Sequence, residues 1–413
     1  MNNVSSSFGS YSLLVFSLYI FLFIFPFPAQ HIPFGQELTN ASYGWLIKSF
    51  SDWVAYSLLR LDEVNYEGGY GSGDTTYDYV QLLAKSLLSL VGAMGLLALS
   101  KRISWLGNPF ALVRVYARYF VGITLIVYGV AKFWGGQFPA ASLGSLEQVH
   151  GDFSPMGLAW RFFGYSDLYK VFMGVSEIAA GALLLFRRTV VIGALLSVAV
   201  TFNIFMVNMS FDVPVKILSG HLLLFSIVIL WPYLRQLVVI LVCRREGQIK
   251  YEPRRFTSKR QKWVYRAAKY YLVFIIPFSL FVGQYLRQGR DGPDNPWDGA
   301  YRVTGFEVTG ESIEDPVEML VLEKNSLLVR HVSGSMLYLT TGELGDDGFM
   351  LVNGYDQDEE LGSLRITQDG GLHHIRWEAG ESQLSMTATR KIKSDYFLNK
   401  RGFNWINEYP VNR

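Results

Sequence analysis

Long apolar runs alternate with polar connections over the first two thirds of the chain. Seven of these runs have roughly the 17–25 residues that a bilayer-spanning helix needs. They cover residues 11–29, 80–100, 115–134, 169–186, 189–208, 214–231 and 264–286. Gly, Ser and Asn interrupt most of them, as membrane bundles tolerate at helix contacts. The pattern predicts an all-α multipass membrane bundle of about seven spans.

The first run could also be read as a cleaved signal peptide. A secretory signal begins with basic residues and ends at small ones. No lysine or arginine precedes Lys48, and no clear small-x-small site ends the run. We therefore predict an uncleaved first helix.

The hydrophobic period changes to two after the last apolar run. Residues 287–300 are rich in Gly, Pro and Asp, which is typical of a linker between domains. Eight short runs follow at residues 301–308, 318–322, 327–331, 336–339, 349–352, 363–366, 372–377 and 383–389. Short strands at such spacing predict a small antiparallel β domain, either a barrel or a sandwich.

Two further segments have an amphipathic pattern. Residues 40–60 place Trp45 and Trp53 among polar positions, which suits a helix in the membrane interface. Residues 233–242 are predicted to continue the sixth apolar helix.

Charge is sorted by region, although the net charge is only +2. Residues 243–263 hold eight bases against two acids, residues 101–118 hold four bases and no acid, and residues 187–188 are both arginine. Residues 30–79 instead hold seven acids and two bases. Short basic loops stay on the cytoplasmic side. We therefore predict a bacterial inner-membrane protein with a cytoplasmic N-terminus and an extracytoplasmic C-terminal domain.

Composition narrows the classes of function. Half of the 413 residues are hydrophobic and 17% are charged, which indicates a bilayer as the main environment. From residue 287 onward there are 21 acids and 13 bases, a net charge of −8, which leaves +10 for the preceding part. An acidic domain argues against nucleic acid as a partner. The single cysteine, Cys243, excludes an intramolecular disulfide.

Ionisable and amide side chains inside the spans are candidate site residues, because each is costly in a bilayer unless it is paired. Seven such residues, within the spans or directly beside one, are singled out as candidates: Lys132, Glu177, Asn203, Asn208, Asp212, Lys216 and His221. Structural explanations compete with a functional one. Lys132 can extend to the interface among aromatic side chains. Glu177 shares a small-residue face with Gly174 and Gly181, where a packing hydrogen bond would explain it.

The remaining candidates are equally open. Asn203 and Asn208 point about 140° apart on a helix, so they are not a ligand pair by themselves. Asp212 and Lys216 can cap a helix and pair at i, i+4. His221 is the only histidine in a predicted span, so this chain alone should not hold a bis-histidine haem. No motif predicts a metal site.

Several stretches between residues 112 and 242 carry a family resemblance. RYFVGITLIVYGVAKFWGGQFP (118–139), VFMGVSEIAAGALLLFRRT (171–189), FNIFMVNMSFDVPVKILSGHLLLF (202–225) and WPYLRQL (231–237) resemble the DoxX-like membrane proteins. The ending RGFNWINEYPVNR (401–413) is similar to that of long members with an extra domain. The family is a four-helix membrane unit, and one branch is the small subunit of thiosulfate:quinone oxidoreductase. The resemblance implies redox chemistry with quinone as a possible cofactor.

The predicted organisation has six parts. They are N-terminal membrane segments (1–110), a DoxX-like four-helix unit (111–242), a basic cytoplasmic loop (243–263), a last transmembrane helix (264–286), a linker (287–300) and an extracytoplasmic β domain (301–413).

Two hypotheses of function follow. In the first, the chain is a membrane component of a redox or quinone-linked system. A polar pocket near the outer face is then surrounded by six of the candidates, Lys132, Glu177, Asn208, Asp212, Lys216 and His221, and a periplasmic or membrane redox partner is expected. In the second, the chain is a non-enzymatic scaffold whose β domain binds or assembles a partner protein. A transporter is disfavoured because no inverted repeat is evident.

Overall fold

A computed structural model describes residues 2–31, 34–64, 73–98, 108–133, 136–246, 248, 258–288, 295–309, 315–343, 348–353, 360–380 and 382–401. Parts of the predicted basic loop and linker lie outside the described residues, as does the ending that resembles long family members from residue 402 onward. The chain divides into two compact units. The helical unit comprises residues 1–139 and 155–285, and the barrel unit comprises residues 140–154 and 286–413.

Helices account for nearly all of the helical unit. In chain order the helices are α1 (Asn2–Ile24), α2 (Gly35–Thr39), α3 (Trp45–Trp53), α4 (Thr76–Ala98), α5 (Pro109–Ala131), α6 (Leu143–Leu146), α7 (Pro155–Tyr165), α8 (Asp167–Leu185), α9 (Val190–Ser210), α10 (Lys216–Leu241), α11 (Lys259–Tyr270), α12 (Ile276–Gln288) and α13 (Phe397–Arg401). Helices α6 and α13 belong to the barrel unit.

Six described helical segments are long and apolar enough to cross a membrane. They are α4, α5, α8, α9, α10 and the segment Lys259–Gly283, in which the π-helical turn Tyr271–Ile275 joins α11 to α12. Helix α1 adds the shorter apolar stretch Tyr11–Ile24. Each of the seven predicted runs therefore corresponds to one of these helices, and the predicted multipass bundle is confirmed.

Local sequence explains where several of these helices begin. The side chain of Asn108 accepts a hydrogen bond from the backbone of Ala111, and Pro109 occupies the first turn of α5. Ser166 caps α8 and Ser258 caps α11 in the same way.

The two amphipathic segments are also helical. The π-helical turns Asn40–Gly44 and Val54–Leu58 extend α3 on both sides. Val54 packs with Val80 and Ala84 of α4, while Trp45 and Trp53 are exposed. Helix α10 continues through Pro232 to Leu241, as predicted.

Glycines bring α5 and α8 into backbone contact. A Cβ atom added to Gly129 would lie 2.6 Å from the carbonyl oxygen of Gly174, and one added to Gly181 would collide with the carbonyl oxygen of Gly122. The matched pairs, seven residues apart on each helix, show that the helices run antiparallel. Small residues at such contacts are how membrane helices approach closely.

The barrel unit contains a closed barrel of eight antiparallel strands in sequence order, with β1 pairing to both β2 and β8. The strands are β1 (Gly299–Thr309), β2 (Val317–Glu323), β3 (Ser326–His331), β4 (Met336–Glu343), β5 (Gly348–Asn353), β6 (Glu360–Asp369), β7 (Leu372–Ala379) and β8 (Ser382–Lys391). Each predicted run overlaps one strand. Of the two predicted alternatives, the domain is the barrel and not the sandwich.

Apolar side chains fill the barrel, but strand β2 is buried on both faces. Leu320 and Leu322 face the interior core, while Met319 and Val321 pack with Leu143 and other residues outside it. Successive strand residues face opposite sides of a sheet. The run of apolar residues in β2, in place of alternation, therefore reflects a second layer supplied by residues 140–154.

Glu147 anchors this second layer. Its side chain is 10% exposed and accepts hydrogen bonds from the Tyr396 hydroxyl at 2.6 Å, Lys391 at 3.4 Å and Arg302 at 3.3 Å. Burial alone would raise the pKa of Glu147, but the Tyr396 hydrogen bond and the charges of Lys391 and Arg302 outweigh it and hold the pKa below its usual value.

His373 lies inside the barrel beside the rings of Tyr301 and Trp297. Its two ring nitrogens are buried without a hydrogen-bond partner. Burial, with smaller contributions from Arg390 and His374, lowers the pKa of His373. The folded barrel therefore favours the neutral ring.

Candidate functional site

A cavity of about 310 Å³ lies within the helical unit between α7, α8, α9 and the chain that follows α5. Most of its wall is aromatic or aliphatic, including Phe138, Trp160 and Met173. The polar side chains of the wall are Lys132, Gln137, Tyr169, Ser176, Glu177, Asn203 and Asn208. Ligand pockets typically measure about 300–1,000 Å³ and combine an apolar wall with a few placed polar groups. The cavity is therefore the candidate binding site.

A buried ion pair forms the polar end of this cavity. Lys132 Nζ lies 2.8 Å from Glu177 Oε2, and the two side chains are 6% and 4% exposed. The ammonium also donates to Gln137 Oε1 at 2.9 Å and to the carbonyl oxygen of Tyr128 at 3.4 Å. An ammonium has three hydrogens to donate, so Lys132 is fully satisfied by these partners.

The glycine contacts explain how the pair forms. Their register places Lys132 level with Val171, six residues before Glu177, which corresponds to roughly 9 Å along the axis. Helical side chains lean toward the N-terminus of their own helix. Because α5 and α8 are antiparallel, Lys132 and Glu177 lean toward each other and close this gap.

Two polar atoms of the site have no hydrogen-bond partner among the described residues. No described residue donates to Glu177 Oε1, because Lys132 donates to Oε2. Asn208 is 5% exposed, and its Nδ2 is buried without a hydrogen-bond partner. A buried unpaired amide is costly. The residues that line the cavity thus include one acceptor and one donor without a partner in an otherwise largely apolar wall.

Asn203 and Asn208 were predicted to point in different directions, and both nevertheless border the cavity. Asn208 is buried, whereas Asn203 is exposed. The wall follows a broad stripe of α9 from Leu196 to Asn208, which is wide enough to include both amides.

Asp212 and Lys216 do not line the cavity. They form an ion pair at 2.7 Å, in which Asp212 is largely exposed. Helix α10 is capped by a distant residue instead of Asp212, because Asp74 accepts from the backbone nitrogens of Lys216 and Ile217 at 2.6 and 2.9 Å. The capping role predicted for Asp212 is therefore wrong, and the i, i+4 pairing is confirmed.

His221 lies in another part of the helical unit and does not border the cavity either. It bonds to Tyr19 and to the carbonyl oxygen of Ile217, and its ring stacks on Phe23 with centroids 3.9 Å apart. The hypothesised pocket of six residues is thus divided. Lys132, Glu177 and Asn208 share the cavity, and Asp212, Lys216 and His221 lie outside its wall.

Sequence reasoning missed three polar residues of the helical unit. Gln137 follows the end of α5 and looks like a loop residue, and Asp74 lies in a polar connection far from α10. Neither position carries a periodic signal. Lys85 could have been found from the sequence, since it is a charged residue within the predicted span 80–100. Among the described residues, no group of three or more His, Cys, Asp or Glu side chains is placed to hold a metal ion.

Together the fold and the cavity define a multipass membrane protein with a ligand-sized site in its helices and a closed β-barrel as its second unit. The chain belongs to the same family as the uncharacterized protein YwoB of Bacillus subtilis (strain 168). The two are 38% identical over 114 residues, which span 28% of this chain and 72% of YwoB. No family model matches the chain. No solved structure matches it either.

Proposed function

We propose that the helical unit binds a quinone-type amphiphile in the 310 Å³ cavity and so serves as a membrane component of a redox system. The observation that carries the proposal is that residues of the same cavity wall include a donor, Asn208 Nδ2, and an acceptor, Glu177 Oε1, that have no partner among the described residues. A quinone carbonyl accepts a hydrogen bond, and the hydroxyl of the reduced form donates one. Both forms of such a ligand can therefore be held in the same site.

The resemblance to DoxX-like proteins supports a quinone as the ligand, since one branch of that family is part of a quinone-reducing enzyme. The basic connections support an orientation in which the Lys132 end of the cavity faces the outer side of a bacterial inner membrane. A separate redox partner would supply or accept the two electrons of the quinone–quinol couple.

Binding of a short-chain naphthoquinone to the purified full-length chain in detergent tests the proposal. Trp160 lines the cavity, so quenching of tryptophan fluorescence reports occupancy. We expect Asn208→Leu to weaken binding about fivefold to tenfold, because one hydrogen bond contributes about 1 kcal/mol.

Asp212→Asn provides the control, since it removes a carboxylate of the same unit outside the cavity. Its affinity should equal that of the unchanged chain. Equal affinity in Asn208→Leu, together with no quinone in extracts of the purified protein, would reject the proposal.

The barrel supports a second candidate function, the binding of a partner protein. Its β3–β4 hairpin exposes the apolar side chains of Val332, Met336 and Tyr338. Clustered apolar side chains on a surface often mark an interaction site. Replacing Val332 and Tyr338 with serine should abolish a phenotype that depends on such a partner and leave quinone binding intact. A normal phenotype would argue against this role.

A further inference from the structure

A second polar cluster in the helical unit lies outside the cavity wall. Helices α1, α4 and α10 bring Tyr19, Lys85 and His221 together around Phe23. The ammonium of Lys85 lies 5.7 Å from the centre of the Phe23 ring, and the His221 ring stacks on the same phenylalanine.

Hydrogen-bond directions in this cluster are determined by chemistry. The carbonyl oxygen of Ile217 can only accept, so His221 Nδ1 carries a hydrogen and donates it at 2.7 Å. In the neutral ring, Nε2 then accepts from the Tyr19 hydroxyl. The hydrogen-bonding groups of His221 are therefore occupied, and Tyr19 retains only acceptor capacity.

Lys85 has no matching partner. No carboxylate of the described residues lies within ion-pair distance of its ammonium. Asp78 is the carboxylate that acts on it electrostatically, but that side chain is engaged by Thr75 at the start of α4. Lys85 lies nine residues after Thr76, about 14 Å along the helix axis. A lysine at this position in a span calls for a counter-ion.

Contact with the Phe23 ring does not replace that counter-ion. A cation–π interaction contributes about 0.5–2 kcal/mol. It also leaves the ammonium hydrogens without acceptors, since Lys85 makes no hydrogen bond with the described residues. The cluster is thus a cationic site that is closed on one side by an aromatic ring.

We propose that Lys85 binds a phosphate group between α1, α4 and α10. Lysine binds phosphate as a point charge and does not impose a fixed geometry. The site is separate from the cavity and does not depend on quinone binding. The phosphate can belong to a lipid head group or to a soluble anion, and the two sources are distinguishable.

Native mass spectrometry of the full-length chain in detergent, titrated with phosphatidylglycerol, tests this site. We expect Lys85→Gln to lower the affinity of the tightest bound lipid about fivefold. Lys85→Arg keeps the charge and should keep the lipid. Lys269→Gln is the matched control, because that ammonium also lies over an aromatic ring, at 4.8 Å from Phe186.

Each outcome decides the proposal. Loss of lipid in Lys85→Gln alone, with an unchanged thermal unfolding midpoint, supports a lipid head group at Lys85. Displacement of the lipid by inorganic phosphate, seen only in the unchanged chain and in Lys85→Arg, supports a site at Lys85 that takes a soluble anion. Equal loss in Lys85→Gln and Lys269→Gln, or no loss in either, overturns it.

Discussion

Glu147 and Glu177 are both buried carboxylates, yet they differ in how their oxygens are used. In the barrel unit, Glu147 Oε1 accepts hydrogen bonds from Lys391 and Tyr396, and Oε2 accepts one from Arg302. In the helical unit, one lysine contacts one oxygen of Glu177, and the other has no donor among the described residues. A carboxylate with both oxygens engaged holds structure together. A half-engaged carboxylate beside a cavity is available to a ligand.

The largest expected effect comes from removing the partner of Glu177. Lys132→Met leaves a buried carboxylate with no cation, which typically costs about 3–5 kcal/mol of unfolding free energy. Thermal unfolding of the detergent-solubilised chain measures this loss. The double variant Lys132→Met, Glu177→Leu replaces the whole pair with apolar groups and should recover most of the stability. Failure to recover would show that the pair acts through something other than charge.

A smaller effect is expected at Glu147. Glu147→Gln removes the negative charge that three donors share, and hydrogen bonds to charged groups contribute about 1.5–3 kcal/mol. Hydrogen exchange of the full-length chain should show faster exchange in β1, β2 and β8, the strands next to this layer. Naphthoquinone affinity should not change. Faster exchange confined to the helices would contradict the assignment of Glu147 to the barrel.

Acid should destabilise the barrel in two stages. The pKa of His373 is lowered on folding, so its contribution is present above the usual histidine value of 6.5 and is lost as the pH falls below it. The pKa of Glu147 is also lowered, so its contribution disappears below the usual value of 4.5. Hydrogen exchange of the strands against pH measures both. Glu147→Gln should remove only the lower stage, and His373→Phe only the upper one.

The smallest effect is expected at the exposed ion pair of the helical unit. Asp212 is 80% exposed, although its distance to Lys216 matches that of the buried pair. Exposed pairs contribute about 0–1 kcal/mol. Asp212→Asn should therefore shift the unfolding midpoint far less than Lys132→Met. High salt should make the shift caused by Asp212→Asn smaller still. A comparable loss in both variants would mean that burial does not separate the two pairs.

Much of the fold was predictable because it repeats. Apolar length identified each span, and short apolar or alternating runs identified each of the eight strands. The choice of Lys132 and Glu177 as candidates was also possible, because charges in apolar runs are conspicuous. Their pairing was not, since it depends on the glycine register between α5 and α8. Glu147 was missed for a related reason: it lies in a short polar segment between two spans and carries no period.

Residues 140–154 belong to the barrel unit, although the chain on either side of them belongs to the helical unit. This arrangement has a consequence for the order in which the chain folds. Glu147 and Tyr396 are separated by 249 residues, so this contact cannot form until the final strand has been synthesised. Long loop closure of this kind slows folding. Leu143 likewise has no apolar cover until β2 has been synthesised. A chain shortened at the last helix would therefore leave the apolar side chain of Leu143 without its packing partners.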